Sequence, residues 1–509
     1  MILSCRYYCS KSCQTADWPM HKRHHNPVNR DNTTEKSSAH DGEVKDSNGM
    51  TELISKAACG DWKEVKKLLE SRADPTLSDG QGYTALHHAV FNCHLRVVKT
   101  LLTVNSRLRC KLLSSRTAAR RWSCLHLAAG QGHVEIVAFL AQTCGESLLF
   151  KSAVRGCSCL HLACEQGHLE VVKVLLEAGG EALLNKTAEN GCSCLYLASQ
   201  HGHLKVVKVV LEAGGDALLT KTTLDGWSCL HAASKDGHLE VAKVLLEAGG
   251  EALLNKTNVD GFSCLLSASL NGHLEVVKFL VEKGGDALLN KTDTNGYSCI
   301  YVASQEGHLE VVKVLLEAGG EALLNKTNAD GCSCLSVASM NGHLEVVKFL
   351  VEKGGDALLN KIDADSYSCL HLASQQGHLE VVKVLVKAGG EALLNKTLVD
   401  GGSCLYLAAR EGHLEVVRVL AEVGGEALLR KTTRLGSGAV AVDGFTCVHV
   451  ATMQGHLPVV RHLAPLLGGL LLHQPAASGV TPLDLAIVSG CAGLCDWLRA
   501  AGARPGEGE

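Results

Sequence analysis

The chain has 509 residues, with 49 lysines and arginines against 53 aspartates and glutamates and a formal net charge of −4. That balance excludes a global attraction to nucleic acid or to an anionic membrane surface, and no run of about 18 apolar residues exists to make a transmembrane helix. Twenty-three cysteines would suggest disulfides in a secreted protein. The opening Met-Ile-Leu-Ser-Cys-Arg-Tyr-Tyr-Cys lacks the apolar core of a secretory signal, so reduced thiols in the cytoplasm or nucleus are expected.

The first 25 residues crowd soft and imidazole ligands together: Cys5, Cys9, Cys13, His21 and His25. A structural zinc ion takes four such protein ligands. Tyr8 to Gln14, Asp17-Trp18 and His21-Lys22 resemble the C-terminal half of a MYND-type zinc finger, matching its Tyr-Cys-Ser-x-x-Cys-Gln, Asp-Trp and His-Lys elements. The resemblance implies zinc, with Cys9, Cys13, His21 and His25 in the places of the last four ligands; His25 stands where that family normally has Cys. The family binds two interleaved ions. Its upstream cysteine pair has no counterpart here, and Cys5 alone stands for the middle one. Either the finger is a truncated remnant, or Cys9, Cys13, His21 and His25 close one zinc site on their own. Residues 26–50 are polar with almost nothing to bury and read as a disordered tether.

Beyond the tether the chain repeats itself. The signature Ser-Cys-Leu-His, whole or altered, returns every 35 residues, its cysteine falling at Cys124, Cys159, Cys194, Cys229, Cys264, Cys299, Cys334, Cys369 and Cys404. A fixed period of this size marks a stacked solenoid, whose function lies on a long surface and not in a pocket. In the unit 156–190, Ser158 is an N-cap for a short first helix carrying Leu160 and Ala163 on one face, and Gly167 ends it. A second run, Leu169 to Ala178, places Val171, Val172, Leu175 and Leu176 at helical spacing with Glu170, Lys173 and Glu177 outward. Gly179 and Gly180 supply a stop, after which Ala182 and Leu183 are expected to add a turn packed under a connecting finger. Helices this short do not persist alone in water, so stacking must supply the core.

Thr84-Ala85-Leu86-His87-His88-Ala89, Ser158 to Ala163 and Thr481-Pro482-Leu483-Asp484-Leu485-Ala486 resemble the Thr-Pro-Leu-His-x-Ala start of the ankyrin repeat, and Gly-His-Leu-Glu-Val-Val resembles its second-helix entry. The resemblance spans residues 51–503 and implies an all-α ankyrin-repeat solenoid of about 13 helix-turn-helix units with finger loops, followed by a tail at 504–509. Unit starts fall near Glu52, Ala85 and Cys124, at the eight later cysteines through Cys404, then at Cys447 and Pro482. Cysteine replaces the family's first-helix proline everywhere but at Pro482, and the units run two residues longer than the family's usual length.

The cysteine column reads as small buried side chains and the histidines after glycine as structural hydrogen-bonding groups. No carboxylate pair, nucleophile elbow or phosphate loop stands out, so no enzyme and no small-molecule substrate are expected. Comparison among units separates scaffold from surface. The pair before Gly-His varies through Gln200, Lys235, Gln305, Met340, Gln375 and Arg410, and the signature's fourth residue varies through Tyr196, Tyr301 and Tyr406. The resemblance puts these sites on the concave face, where ankyrin proteins hold partners, and tyrosine suits interface centres. The expectation is a monomeric scaffold binding other proteins. The alternative is a zinc-dependent regulatory or chromatin-linked adaptor acting through the MYND-like finger. Two interruptions break the rhythm: a basic stretch at 107–121 and a glycine-containing bulge near 435–442.

Overall fold

The computed structural model describes residues 45–103, 106–435, 442–477 and 479–506. The expected zinc segment 1–25, with Cys5, Cys9, Cys13, His21 and His25, lies outside the described residues, as does the tether up to residue 44. The tether's last residues are not free chain: they turn at Asp46–Met50, and Asn48 accepts from the Gly80 amide at 3.1 Å. The tail is likewise pinned as far as Gly506, whose N–H donates to Asp484 Oδ2 at 2.9 Å.

The described chain is a series of helical hairpins whose first helices begin at Glu52, Ala85, Cys124, Cys159, Cys194, Cys229, Cys264, Cys299, Cys334, Cys369, Cys404, Cys447 and Pro482. Each first helix starts where a Ser or Thr hydroxyl accepts an orphan amide, as Ser158 Oγ does from His161 N–H. Six units close a reciprocal box with histidine: in the Cys159–Gln166 helix, His161 Nδ1 lies 2.7 Å from Ser158 Oγ and 3.3 Å from its amide. Apolar residues of both helices meet in one continuous core.

The unit's extra length has a structural use. Gly180 (φ 52°, ψ −152°) kinks the run Leu169–Leu184 instead of ending it, and the added turn buries Leu183 and Leu184, not Ala182, which is exposed. Gly179 must be small there, because a Cβ would come within 2.6 Å of Leu183 Cβ. The turn's carbonyls then serve the next unit: Leu184 O accepts from Cys194 Sγ at 3.6 Å, and Asn185 O accepts from Lys221 Nζ at 2.6 Å. Such a lysine recurs at Lys256, Lys291, Lys326 and Lys396, placing a cation on the helix C-terminus of the preceding unit.

Fingers hydrogen-bond to one another through the backbone. Leu224 N donates to Asn190 O at 2.9 Å, Thr294 N to Asp260 O at 2.8 Å and Ala364 N to Asp330 O at 2.8 Å. The ladder breaks between Asp365 and Val399 and resumes with Arg434 N to Asp400 O. The break follows Ser366 (φ 67°), which occupies a left-handed position held by glycine in the neighbouring fingers, at Gly331 and Gly401. The bulge is bracketed by strands Thr433–Leu435 and Val442–Phe445, paired antiparallel; residues 436–441 lie outside the description.

A side chain with a Cβ in the left-handed region costs roughly 1 kcal/mol. Ser366→Gly therefore stabilises this finger by about that amount, read as slower amide exchange of residues 363–368. Unchanged or faster exchange would show that Ser366 is not what weakens the junction.

Candidate functional site

The signature's fourth residue is not on the surface. Tyr301 and Tyr406 are only 6% and 4% exposed, and Tyr196 is half-buried. The position is the third of a short helix whose N-terminus sits under the finger, so its side chain lies beneath the residue two before the cysteine. Tyr301 stacks on Tyr297 with centroids 4.8 Å apart, and His231 meets Trp227 edge-on at 5.6 Å. Variation along this series reflects repacking against a varying neighbour. The expectation of exposed tyrosines is thus corrected.

The other candidates form a partly exposed row. Gln200, Lys235, Gln305, Met340, Gln375 and Arg410 lie at or one residue before the end of a first helix, one unit apart except between Lys235 and Gln305, where Leu270 holds the intervening place. Each backbone carbonyl accepts from the Nε2 of a histidine one unit further on: Gln200 from His238 at 3.0 Å, Lys235 from His273 at 2.8 Å, Met340 from His378 at 3.0 Å, Arg410 from His456 at 2.9 Å. The glycine before each histidine is required twice over. Gly167 has φ 75°, and a Cβ there would meet the His203 ring at 2.4 Å.

The cysteine column and the capping-box histidines are silenced by burial. The cysteine column is at most 2% exposed, and desolvation pushes the thiols of Cys159, Cys229, Cys334 and Cys404 up to about 12. The capping-box histidines His87, His126, His161, His231, His371 and His449 are lowered to about 4, by burial first. In His161, Nε2–H donates to Cys192 O at 3.1 Å, leaving Nδ1 as acceptor from Ser158; protonation would lose that acceptor. Among the described residues no three His, Cys, Asp or Glu side chains are grouped to hold a metal ion, and no helix is long and apolar enough to cross a membrane. Part of the basic stretch is structural: Arg116 reaches the carbonyls of Arg121 and Ser152, and Arg109 that of Thr143.

Family comparison agrees with this architecture. The model for ankyrin repeats in three copies matches in overlapping stretches from 105–186 through 356–432, more than half of the chain, and that for many copies matches 56–102. The chain belongs to the ankyrin repeat family. Among similar relatives, the Notch-regulated ankyrin repeat-containing protein of Homo sapiens is 37% identical over 85 residues, covering 16% of this chain and 69% of that protein. Its Xenopus tropicalis counterpart is 34% identical over the same length and shares.

Two outcomes follow from the silenced groups. A thiol reagent applied to the native chain should label the exposed Cys59, Cys93 and Cys110 and spare the column until denaturant is added; rapid native labelling of Cys264 would contradict the packing. Because the six histidines have a folded pKa near 4 against 6.5 unfolded, the unfolded chain takes up protons first as pH falls. Their contribution is whole above about pH 6.5 and declines toward pH 4, by up to about 1.4 kcal/mol per pH unit for each histidine. Urea midpoints measured across that window should fall, and a flat profile would refute the assignment.

Proposed function

We propose that the chain is a non-enzymatic scaffold that holds partner proteins on the face built from first helices and fingers, the concave side in this family. The observation that carries this reading is internal. Residues 264–333 and 334–403 are near copies, and they differ at 16 positions. Only two of these, Leu316/Val386 and Glu317/Lys387, lie on second helices; the other 14 fall on first helices and fingers. Drift without a partner would alter the exposed outer residues as readily, yet Glu275, Lys278 and Glu282 are matched by Glu345, Lys348 and Glu352. Six of the 14, Leu266/Ser336, Ser267/Val337, Ile300/Leu370, Tyr301/His371, Val302/Leu372 and Asn328/Leu398, are buried in both copies and belong to repacking; the other eight, among them Leu270/Met340 and Asn295/Asp365, are open to solvent in at least one copy, and divergence there is what adaptation to a bound surface produces.

The row Gln200, Lys235, Gln305, Met340, Gln375 and Arg410 supports the same reading, since it offers varied, adaptable side chains on a backbone pinned by histidine. The Notch-regulated relatives share the repeat over 85 residues, and their partners are not assigned to this chain.

The test is capture of partners by the full chain and by two variants. Replacing Gln200, Gln305, Gln375 and Arg410 with alanine should weaken the captured complexes about tenfold or more, a loss of about 1.4 kcal/mol. Lys278→Ala with Lys313→Ala and Lys348→Ala, on the second helices, should leave them unchanged. Loss only with the second-helix variant would overturn the assignment of the face.

A further inference from the structure

The inner face is not uniform along its length. Between the units beginning at Cys229 and Cys334, a second apolar cluster forms apart from the main core: Phe262, Leu266, Tyr301, Val302 and Val337 are buried, with Trp227, Leu270, Tyr297, Cys332 and Met340 packed over it and partly open to solvent. Between Lys235 and Gln375 the row carries Leu270, Gln305 and Met340, two of the three apolar, where Gln200, Lys235, Gln375 and Arg410 stand on either side. Single apolar residues on a surface need no explanation, but a contiguous apolar patch rimmed by polar groups marks a contact surface.

That rim has one sign of charge. The fingers and first helices from 257 to 376 carry Asp260, Asp293, Glu306, Asp330, Asp363 and Asp365, and no lysine or arginine. The cations of these units are engaged elsewhere: Lys278, Lys313 and Lys348 pair with glutamates on second helices, Lys283 and Lys353 with the adjacent Glu282 and Glu352, and Lys291, Lys326 and Lys361 bind the helix-end carbonyls of Asn255, Asn290 and Asn325. The carboxylates also adjoin the apolar patch. Asp293 Oδ1 accepts from the Tyr297 amide at 2.7 Å, and Asp363 Oδ2 lies 4.0 Å from Cys332 Sγ. Asp293 and Asp363 are raised above the ordinary carboxylate range, by burial first and then, against their turn hydrogen bonds, by neighbouring aspartates.

Resting on the scaffold reading above, we infer that the face from Phe262 to Asp365 seats a basic polypeptide segment of the partner, one that sets a large apolar side chain over Leu270, Tyr297 and Met340 and places lysines or arginines against the fingers. Charge complementarity selects this occupant: the acidic fingers repel nucleic acid and anionic lipid, and an acidic peptide would meet like charge with no counter-ion. The apolar patch alone would accept any greasy segment; the carboxylates of the fingers, with Glu306 at a first-helix end, restrict it to a cationic one.

The experiment selects from a random peptide display library on the full chain and measures the selected peptides against three variants. The first is Asp260→Asn, Asp293→Asn, Asp330→Asn and Asp363→Asn together. Asparagine keeps the acceptor oxygen that Asp293 and Asp363 supply to their turns, as Asn258 Oδ1 shows by accepting the Phe262 amide at 2.7 Å, and it can still accept from Asn258 and Asn328 in place of Asp260 and Asp330. The second is Leu270→Ser with Met340→Ser, and the third is the alanine set at Gln200, Gln305, Gln375 and Arg410. Peptides with net positive charge and a bulky apolar residue are expected, weakened about tenfold by each of the first two variants and progressively by added salt. Selected peptides that are neutral or acidic, binding indifferent to the asparagine set, or no enrichment at all would overturn the inference. If such peptides still fail on the alanine set, the scaffold reading survives; if all three variants bind them as the native chain does, both fall.

Discussion

Everything in this protein depends on each unit completing the hydrogen bonds of the one before it. A first helix of seven residues and a kinked second run of sixteen have no stability alone in water. Across one junction, between the units beginning at Cys264 and Cys299, His308 Nε2 donates to Leu270 O at 3.1 Å, Cys299 Sγ to Leu289 O at 3.6 Å and Lys326 Nζ to Asn290 O at 2.7 Å. A net contribution of about 1 kcal/mol per bond is modest, but the set recurs at unit after unit. Burial of a helix end without such partners would cost comparable amounts each time. The array is therefore coupled by polar completion as much as by its apolar spine.

This coupling explains why cysteine and histidine are present in number among the repeats. Cysteine in the first helical position gives up the preset φ of proline but supplies a weak donor of the right length to reach the preceding turn. Histidine after glycine has the reach to bond a carbonyl one unit back, and histidine at the third helical position closes the capping box. The thiol and the capping-box imidazole are each held by a bond that the ionised form would break: a thiolate cannot donate, and an imidazolium has no acceptor nitrogen for serine. Burial is the larger influence on both, and it outweighs the backbone hydrogen bonds, which act against it.

The hairpins, their caps and the roles of the cysteine and glycine-histidine columns were legible in the sequence because they depend on local chemistry repeated at a fixed interval. Ser158 had to cap, Gly167 had to adopt a positive φ, and Val171, Val172 and Leu175 had to face inward. What could not be read was anything set by the neighbouring unit. Lys221 looks like a solvated lysine in Thr-Lys-Thr until Asn185 is beside it. Tyr301 and Tyr406 vary along the chain as surface residues do, yet the finger above them takes up the variation. Ala182 and Leu184 differ in burial because the kink at Gly180 turns the added segment inward by its second leucine, a geometry that Gly-Gly alone does not specify.

The division between scaffold and surface follows from which atoms make the junction bonds. The histidine of each unit binds a backbone carbonyl, so the residue providing that carbonyl can be Gln200, Lys235, Leu270 or Met340 with the bond intact. Finger-to-finger bonds are likewise backbone to backbone, and Asn258 and Asp293 make the same turn with opposite consequences for charge. Side chains on this face are thereby released from the task of holding the stack. On the second helices, by contrast, the valines and leucines are themselves the junction, and a change in one unit must suit the units on both sides. A repeat protein assembled in this way can change what it binds one position at a time, because the surface that meets a partner is built on atoms that every residue type possesses.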